Sequence, residues 1–416
     1  MVQAAGFDRK ERMGLFAVFL VWPAALLYKS IRFYRSSHAR NALLFFIAFF
    51  GFTFVARHNN DAFRYIEWFQ DIRATNISLK EFFSLLYSED TSYLDVVEPL
   101  LAFIVAQFTG DHRVLFAVFG LVLGYFYTRN IWYLIDKAPG EHSIYARLLL
   151  LTFAVTVPFW NLNVIRFWTA GHLFFYGTIR FLMENRRSAL LIAASAMLIH
   201  FSYILPITML LLYALIGSRT RVFLLFFIIC NLVSELNVSQ LRDPLIAYTP
   251  VAFHNRIEGY TQEDNIERRR EDLAGRNWYA RMHTKALHLA ASVLLLLVFF
   301  KGKEVWEEQR AMRRFFSFVL FFGGFSSLSS LVPVLMRFHT LGLLFFMAFL
   351  FLYFCYKKDE AMSDKVLVVL LPAFALFFLV SVRIGFDNAS IYAFISNPLI
   401  APVIEINDVT LIDFIK

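Results

Sequence analysis

The chain has 416 residues, 59% of them hydrophobic and 17% charged, with a formal net charge of +8 and a mean hydropathy of +0.57. Soluble domains carry about 25% charged residues, so this chain has too little polar surface to cover a core of its own, and its solvent is lipid. The positive balance excludes little and does not point to nucleic acid. Lys and Arg punctuate the connections between apolar runs, as membrane orientation requires. Cys230 and Cys355 lie within apolar runs and read as small buried hydrophobes, which leaves no disulfide framework and no metal set.

A crossing helix needs about 20 residues, fewer with snorkelling flanks. In chain order, spans are expected at 14–28, 41–56, 114–135, 145–160, 166–183, 188–200, 202–217, 222–236, 284–300, 315–336, 339–356 and 365–382. The first run has no cleavage-site pattern and reads as a retained helix. A shorter apolar piece at 97–109 opens with Glu98-Pro99. The fold class is therefore an all-α polytopic membrane protein with about twelve transmembrane helices and a re-entrant or interfacial segment near 97–109. Residues 1–416 read as a single membrane domain.

Basic connections at 29–40, 186–187, 219–221, 301–314 and 357–358 are expected on the cytoplasmic side. That puts the loops 57–96 and 237–283 and the tail 383–416 outside. Ile77 to Tyr87 reads as a short interfacial helix, with Phe82, Phe83, Leu85 and Leu86 on its apolar side. His200-Phe201-Ser202 and Pro206 divide 188–217 into two short helices rather than one long one.

The sequence has no P-loop, no GxGxxG, no HExxH, no CxxC pair and no GxSxG elbow. What remains is arginine at outer helix ends: Arg57 after the second span, Arg166 at the start of another, and Arg337. A lone Arg there snorkels to headgroups; three at one face suit phosphate, because a guanidinium fork binds two oxygens at once. Asp61 and Tyr65 follow Arg57 at helical spacing and share its face if the helix continues. A local Arg57–Asp61 ion pair is the plainer alternative. Asp61 and Glu98 are candidate bases. His200 is either a packing histidine or a polar contact. In the outer loop, Arg256, Tyr260 and further Arg and aromatic residues either pair with interleaved acids or hold sugar and diphosphate.

Arg57-x3-Asp61-x3-Tyr65, then Glu98-Pro99 before an apolar helix, resembles the EpsG-like branch of the Wzy-type polysaccharide polymerases. Arg166-Phe-Trp-Thr-Ala170, His200-Phe-Ser202 through Pro206, Arg256-x3-Tyr260 and Arg337-Phe338 fit as well. Phe167, Tyr203 and Asn60 depart from the family's usual residues. The resemblance covers roughly residues 10–360. It implies a GT-C-like helical enzyme of the bacterial inner membrane that joins undecaprenyl-diphosphate-linked oligosaccharide repeats on the periplasmic side. It also implies no metal, nucleotide sugar or other cofactor. Its partners would be the lipid-linked oligosaccharide, the bilayer, a chain-length regulator and a flippase, and no nucleic acid. Asp61 and Glu98 would be catalytic; Arg57, Tyr65, Arg166, His200, Arg256, Tyr260 and Arg337 would bind diphosphate or sugar. Another polyprenyl-linked sugar transferase, such as an O-antigen ligase or a single-sugar enzyme, or a lipid-linked oligosaccharide flippase, stays open as an alternative.

Overall fold

A computed structural model describes residues 9–57, 60–75, 77–86, 95–233, 277–332, 335–357, 362–404 and 409–415, with single positions between 247 and 275. Arg256 and Tyr260 lie outside the described residues. Among those described, the long elements are all helices, and two isolated bridges pair Phe54 with Ala389 and Ser390 with Thr410.

The first apolar run is divided. α1 (Arg9–Val21) and α2 (Ala24–Arg32) meet at Pro23, which has no N–H to continue the ladder. α3 (Ser37–Phe52) starts where the Ser36 hydroxyl accepts from the His38 N–H, a cap worth about 1 kcal/mol. It stops at Thr53, and α4 begins only at Asp61 and runs to Thr75. This corrects the expectation that one helix carries Arg57, Asp61 and Tyr65 on a shared face. Arg57 is on non-helical chain, tethered where the Val55 N–H donates to the Asn388 carbonyl at 3.1 Å. α5 (Leu79–Leu86) buries Phe82 against Phe103, ring centroids 4.6 Å apart, while Phe83 stays exposed.

α6 (Val97–Phe108) has 12 residues, roughly 18 Å of helix against about 30 Å of hydrocarbon. Both its ends lie at one end of the bundle. Asp95, just before it, meets Arg166 and Phe201. Arg113, just after it, donates to the carbonyls of Ala401, Pro402 and Ile404 in the C-terminal tail. α6 therefore does not traverse the bundle.

α7 (His112–Lys137) lies tight along α3, because glycine sits where the backbones meet. A Cβ on Gly120 would come within 2.6 Å of the Ile47 carbonyl oxygen, and one on Gly51 within 2.2 Å of that of Phe116. Such small residues let membrane helices approach closely. Gly120→Ala is expected to destabilise by about 1–3 kcal/mol from overpacking, despite its better helix propensity. Thermal unfolding in detergent checks this; a variant as stable as the parent would mean the helices separate freely.

α8 (Ile144–Thr156) and α9 (Ile165–Glu184) belong to two arms bent by 55° at a break over residues 157–160, the second arm opening with a 3-10 turn at Asn161–Val164. His172 Nε2 lies 3.0 Å from the Val157 carbonyl oxygen, and Asn130 donates to the His172 carbonyl at 2.9 Å, which fastens the bend to α7. α10 (Ala189–Ala194) and α11 (Ala196–Ile199) precede a break at His200, whose backbone is extended. α12 (Ile204–Ile216) follows. Pro206 falls in its first turn, where the N–H groups lack helical partners.

The remainder is α13 (Thr220–Leu232), α14 (Trp278–Lys301), α15 (Lys303–Glu308), α16 (Arg310–Ser329), α17 (Met336–Tyr356), α18 (Met362–Gly385), α19 (Tyr392–Ile395) and α20 (Leu411–Ile415). α17 is the hub, buried on every side from Leu341 to Phe354. A polar node near it joins four helices: Ser327 donates to Asn231 at 3.2 Å and meets His288, whose ring lies 4.1 Å from that of His339.

Among the described residues, α7, α14, α17 and α18 are long and apolar enough to cross a membrane, and the count rises to five only when the bent pair α8–α9 is taken as one span. The longer expectation also counted α3 and shorter apolar helices such as α12 and α13. The basic connections gather at one end: Arg35 donates to the Gly140 carbonyl, Lys137 pairs with Glu184, and Arg314 donates to the Leu182 carbonyl. Arg57, Arg166 and the C-terminal tail occupy the other.

Candidate functional site

Arg166 is the centre of the arginine end. It stands in the first turn of α9, directly after the 3-10 turn that follows the bend. Its Nε donates to the Tyr65 hydroxyl at 3.2 Å, its Nη1 to Asp95 Oδ2 at 3.2 Å, and its Cζ lies 5.3 Å from the Tyr65 ring centroid. A guanidinium carries five N–H groups; Nη2 keeps both of its own unengaged among the described residues. The side chain is 25% exposed, so this charge is held on one edge and open on another.

Asp95 is what holds it. Its side chain is 4% exposed, and its second oxygen accepts from the Phe201 N–H at 2.8 Å. That N–H is available because His200 breaks the helix. The His200 Nδ1 accepts from the Ser202 hydroxyl at 2.8 Å and from the Ser202 N–H, so His200 caps the following turn. The Val96 N–H adds a bond to the Leu198 carbonyl. Two broken helices and the start of α6 are thus locked together around Arg166.

Glu98 lies one turn beyond Asp95, buried in the first turn of α6, and its Oε1 has no hydrogen-bond partner among the described residues. Burial pushes its carboxyl up to about 7, against the pull of Arg166, and the neighbouring Asp95 adds to the rise. Burial likewise pushes the Tyr65 phenol up to about 12 despite Arg166, so Tyr65 is a neutral hydroxyl. Arg337, exposed in the first turn of α17, lies 5.5 Å over the Phe167 ring with no acidic partner among the described residues. Phe167 packs on Tyr203, centroids 5.1 Å apart, so two positions that depart from the resembled pattern are in contact.

The structure brings Tyr65, Glu98, Arg166, His200 and Arg337 into this neighbourhood. Arg57 and Asp61 are partnered elsewhere. Arg57 donates to Thr410 at 3.1 Å and pairs with Asp413 at 3.3 Å; Asp61 pairs with Arg64. The plainer sequence alternative, an Arg57–Asp61 pair, is thereby replaced: the chain turns between them, and the tail supplies a nearer carboxylate. Asp95 is the residue that sequence reasoning missed. Asp95-x-x-Glu98 before an apolar run has the form of a capping box, yet the helix N-cap is Val96 with no side-chain bond. The carboxylate serves Arg166 instead.

Asp95→Ala would leave a part-buried guanidinium without its partner and is expected to lower stability by about 3–5 kcal/mol. Asp95→Asn keeps the acceptor for the Phe201 N–H and should lose less. Thermal melts of the three proteins in detergent order them; coincident melts would show that the pair holds nothing in place.

These features define a polytopic helical membrane protein with a cation–carboxylate cluster at a junction of broken helices. Residues 42–396 match the EpsG family, and the chain belongs to it. The match includes every residue of the cluster. No curated protein and no solved structure matches the chain.

Proposed function

We propose that this protein is a polysaccharide polymerase that joins oligosaccharide repeats carried on undecaprenyl diphosphate, at the periplasmic face of the bacterial inner membrane. The observation that carries the reading is Arg166, fixed on one edge and open on the other beside a buried Glu98 whose Oε1 has no hydrogen-bond partner among the described residues, in a chain of the EpsG family. The donor's bond between its anomeric carbon and the diphosphate breaks, and the electron pair leaves with the diphosphate. Arg166 and Arg337 stabilise that charge where water is sparse. An acceptor hydroxyl forms the new bond to the anomeric carbon, and its proton passes to Glu98. Tyr65 keeps a neutral hydroxyl for donation to a phosphate or sugar oxygen. His200 positions the junction and, through Phe201, Asp95. Arg57 and Asp61 stand at the rim, with Arg57 anchoring the C-terminal tail; Arg256 and Tyr260 complete the sugar-binding set. The helical frame is GT-C-like, with the shorter helices completing about twelve spans.

Purified protein supplied with one defined lipid-linked repeat, with and without a chelator, tests the reading. A product ladder in both arms is expected. A single added sugar, or a lipid-linked repeat carried across vesicles without bond formation, would replace it with a single-transfer enzyme or a flippase.

A further inference from the structure

A cavity of about 700 Å³ lies between α2, α3, α7, α8 and α18. Among the described residues its lining is apolar and aromatic except at one end, where Ser30 sits beside two charged residues, Arg32 and Arg147. Both are exposed, and neither makes an ion pair or side-chain hydrogen bond among the described residues. The other end, at Trp160, Phe386 and Phe394, has no cation in its lining among the described residues. Along α8 the wall runs from Arg147 to Val155 and on toward Trp160. Eight helical steps make about 12 Å, close to one leaflet of a hydrocarbon core of about 30 Å. Ile31 and Leu151 are 65% and 45% exposed, so the cavity opens sideways toward lipid.

This is an amphiphile's outline: one anionic head at Arg32 and Arg147, and a chain one leaflet long behind it. The charged end lies with the basic connections, at the opposite end of α8 from the bend that leads to Arg166. A lipid whose phosphate lay at Arg166 would place its head at the wrong end of this cavity. We propose that the cavity binds an anionic phospholipid, its phosphate on Arg32 and Arg147 and one acyl chain along α8. Basic pockets between membrane helices hold such headgroups. The site is separate from the proposed reaction, so its test does not use polymer formation.

The full chain in neutral detergent would be titrated with phosphatidylglycerol, phosphatidylcholine and undecaprenyl phosphate, followed by native mass spectrometry and thermal shift. Phosphatidylglycerol is expected to bind and raise the melting temperature. The exposed double variant Arg32→Gln/Arg147→Gln should weaken that binding about tenfold or more, and Ala154→Phe, which fills the wall, should abolish it. Equal binding of phosphatidylcholine, or phosphatidylglycerol binding unchanged in the Gln variant, overturns the proposal. So does displacement of phosphatidylglycerol by undecaprenyl phosphate with the same dependence on both arginines, which would make the cavity a prenyl-phosphate site.

Discussion

Arg166→Ala will stop chain growth and leave single lipid-linked repeats unpolymerised. The guanidinium is asked to stabilise charge that develops on the leaving diphosphate, and removing one such donor costs about 10²–10³ in rate. Arg166→Lys should not restore activity. A single ammonium cannot reach Tyr65 and Asp95, where Arg166 uses Nε and Nη1 at 3.2 Å each, while keeping a free edge. Arg337→Ala should give the same product defect with little loss of stability, since that residue is exposed with no acidic partner among the described residues. Arg57→Ala should be milder, because its charge is already met by Asp413 at 3.3 Å. Product ladders from purified variants, with melting temperatures alongside, decide this. Wild-type ladders from Arg166→Ala at normal folding would remove Arg166 from the chemistry.

Glu98→Gln will abolish the pH dependence of the reaction together with most of its rate. A base must be ionised, and burial holds the Glu98 carboxyl up at about 7. The parent's rate should therefore rise as pH passes upward through about 7, whereas the Gln variant should be flat and lower by about 10²–10⁴, with KM little changed. Stability should move oppositely. The native carboxyl keeps its proton up to about 7, and the unfolded one releases it near the ordinary 4.5. Between those values the native state binds more protons, so stability falls as pH rises and then levels. Above pH 8 Glu98→Gln should be the more stable protein, by a margin of order 3 kcal/mol. Rate profiles and melts from pH 5 to 9 measure both. A Gln variant with the parent's rate would leave Glu98 a structural acid.

The membrane class was legible because lipid demands apolar surface at every residue that faces it, and composition records that demand directly. Helix positions came with it, since a run such as 339–356 has no other use, and α17 occupies Met336–Tyr356. The break at His200 was legible too, because a polar triplet ahead of a proline interrupts both hydrophobicity and hydrogen bonding. The local reading failed between Arg57 and Asp61. Spacing alone cannot reveal that the chain leaves the helix at Thr53, bridges from Phe54 to Ala389 and brings Arg57 to a carboxylate at Asp413.

By itself the sequence determined a helical membrane protein with arginine at one end and basic connections at the other. Apolarity and charge are properties of single residues and their neighbours in the chain. Only tertiary structure decided which arginine is free to act. Arg57 is neutralised by a residue 356 positions away. Arg166 is held open by Asp95, itself positioned by the Phe201 N–H, which can reach it because another helix breaks at His200. Pairing across such distances depends on how helices pack, and no local spacing encodes it.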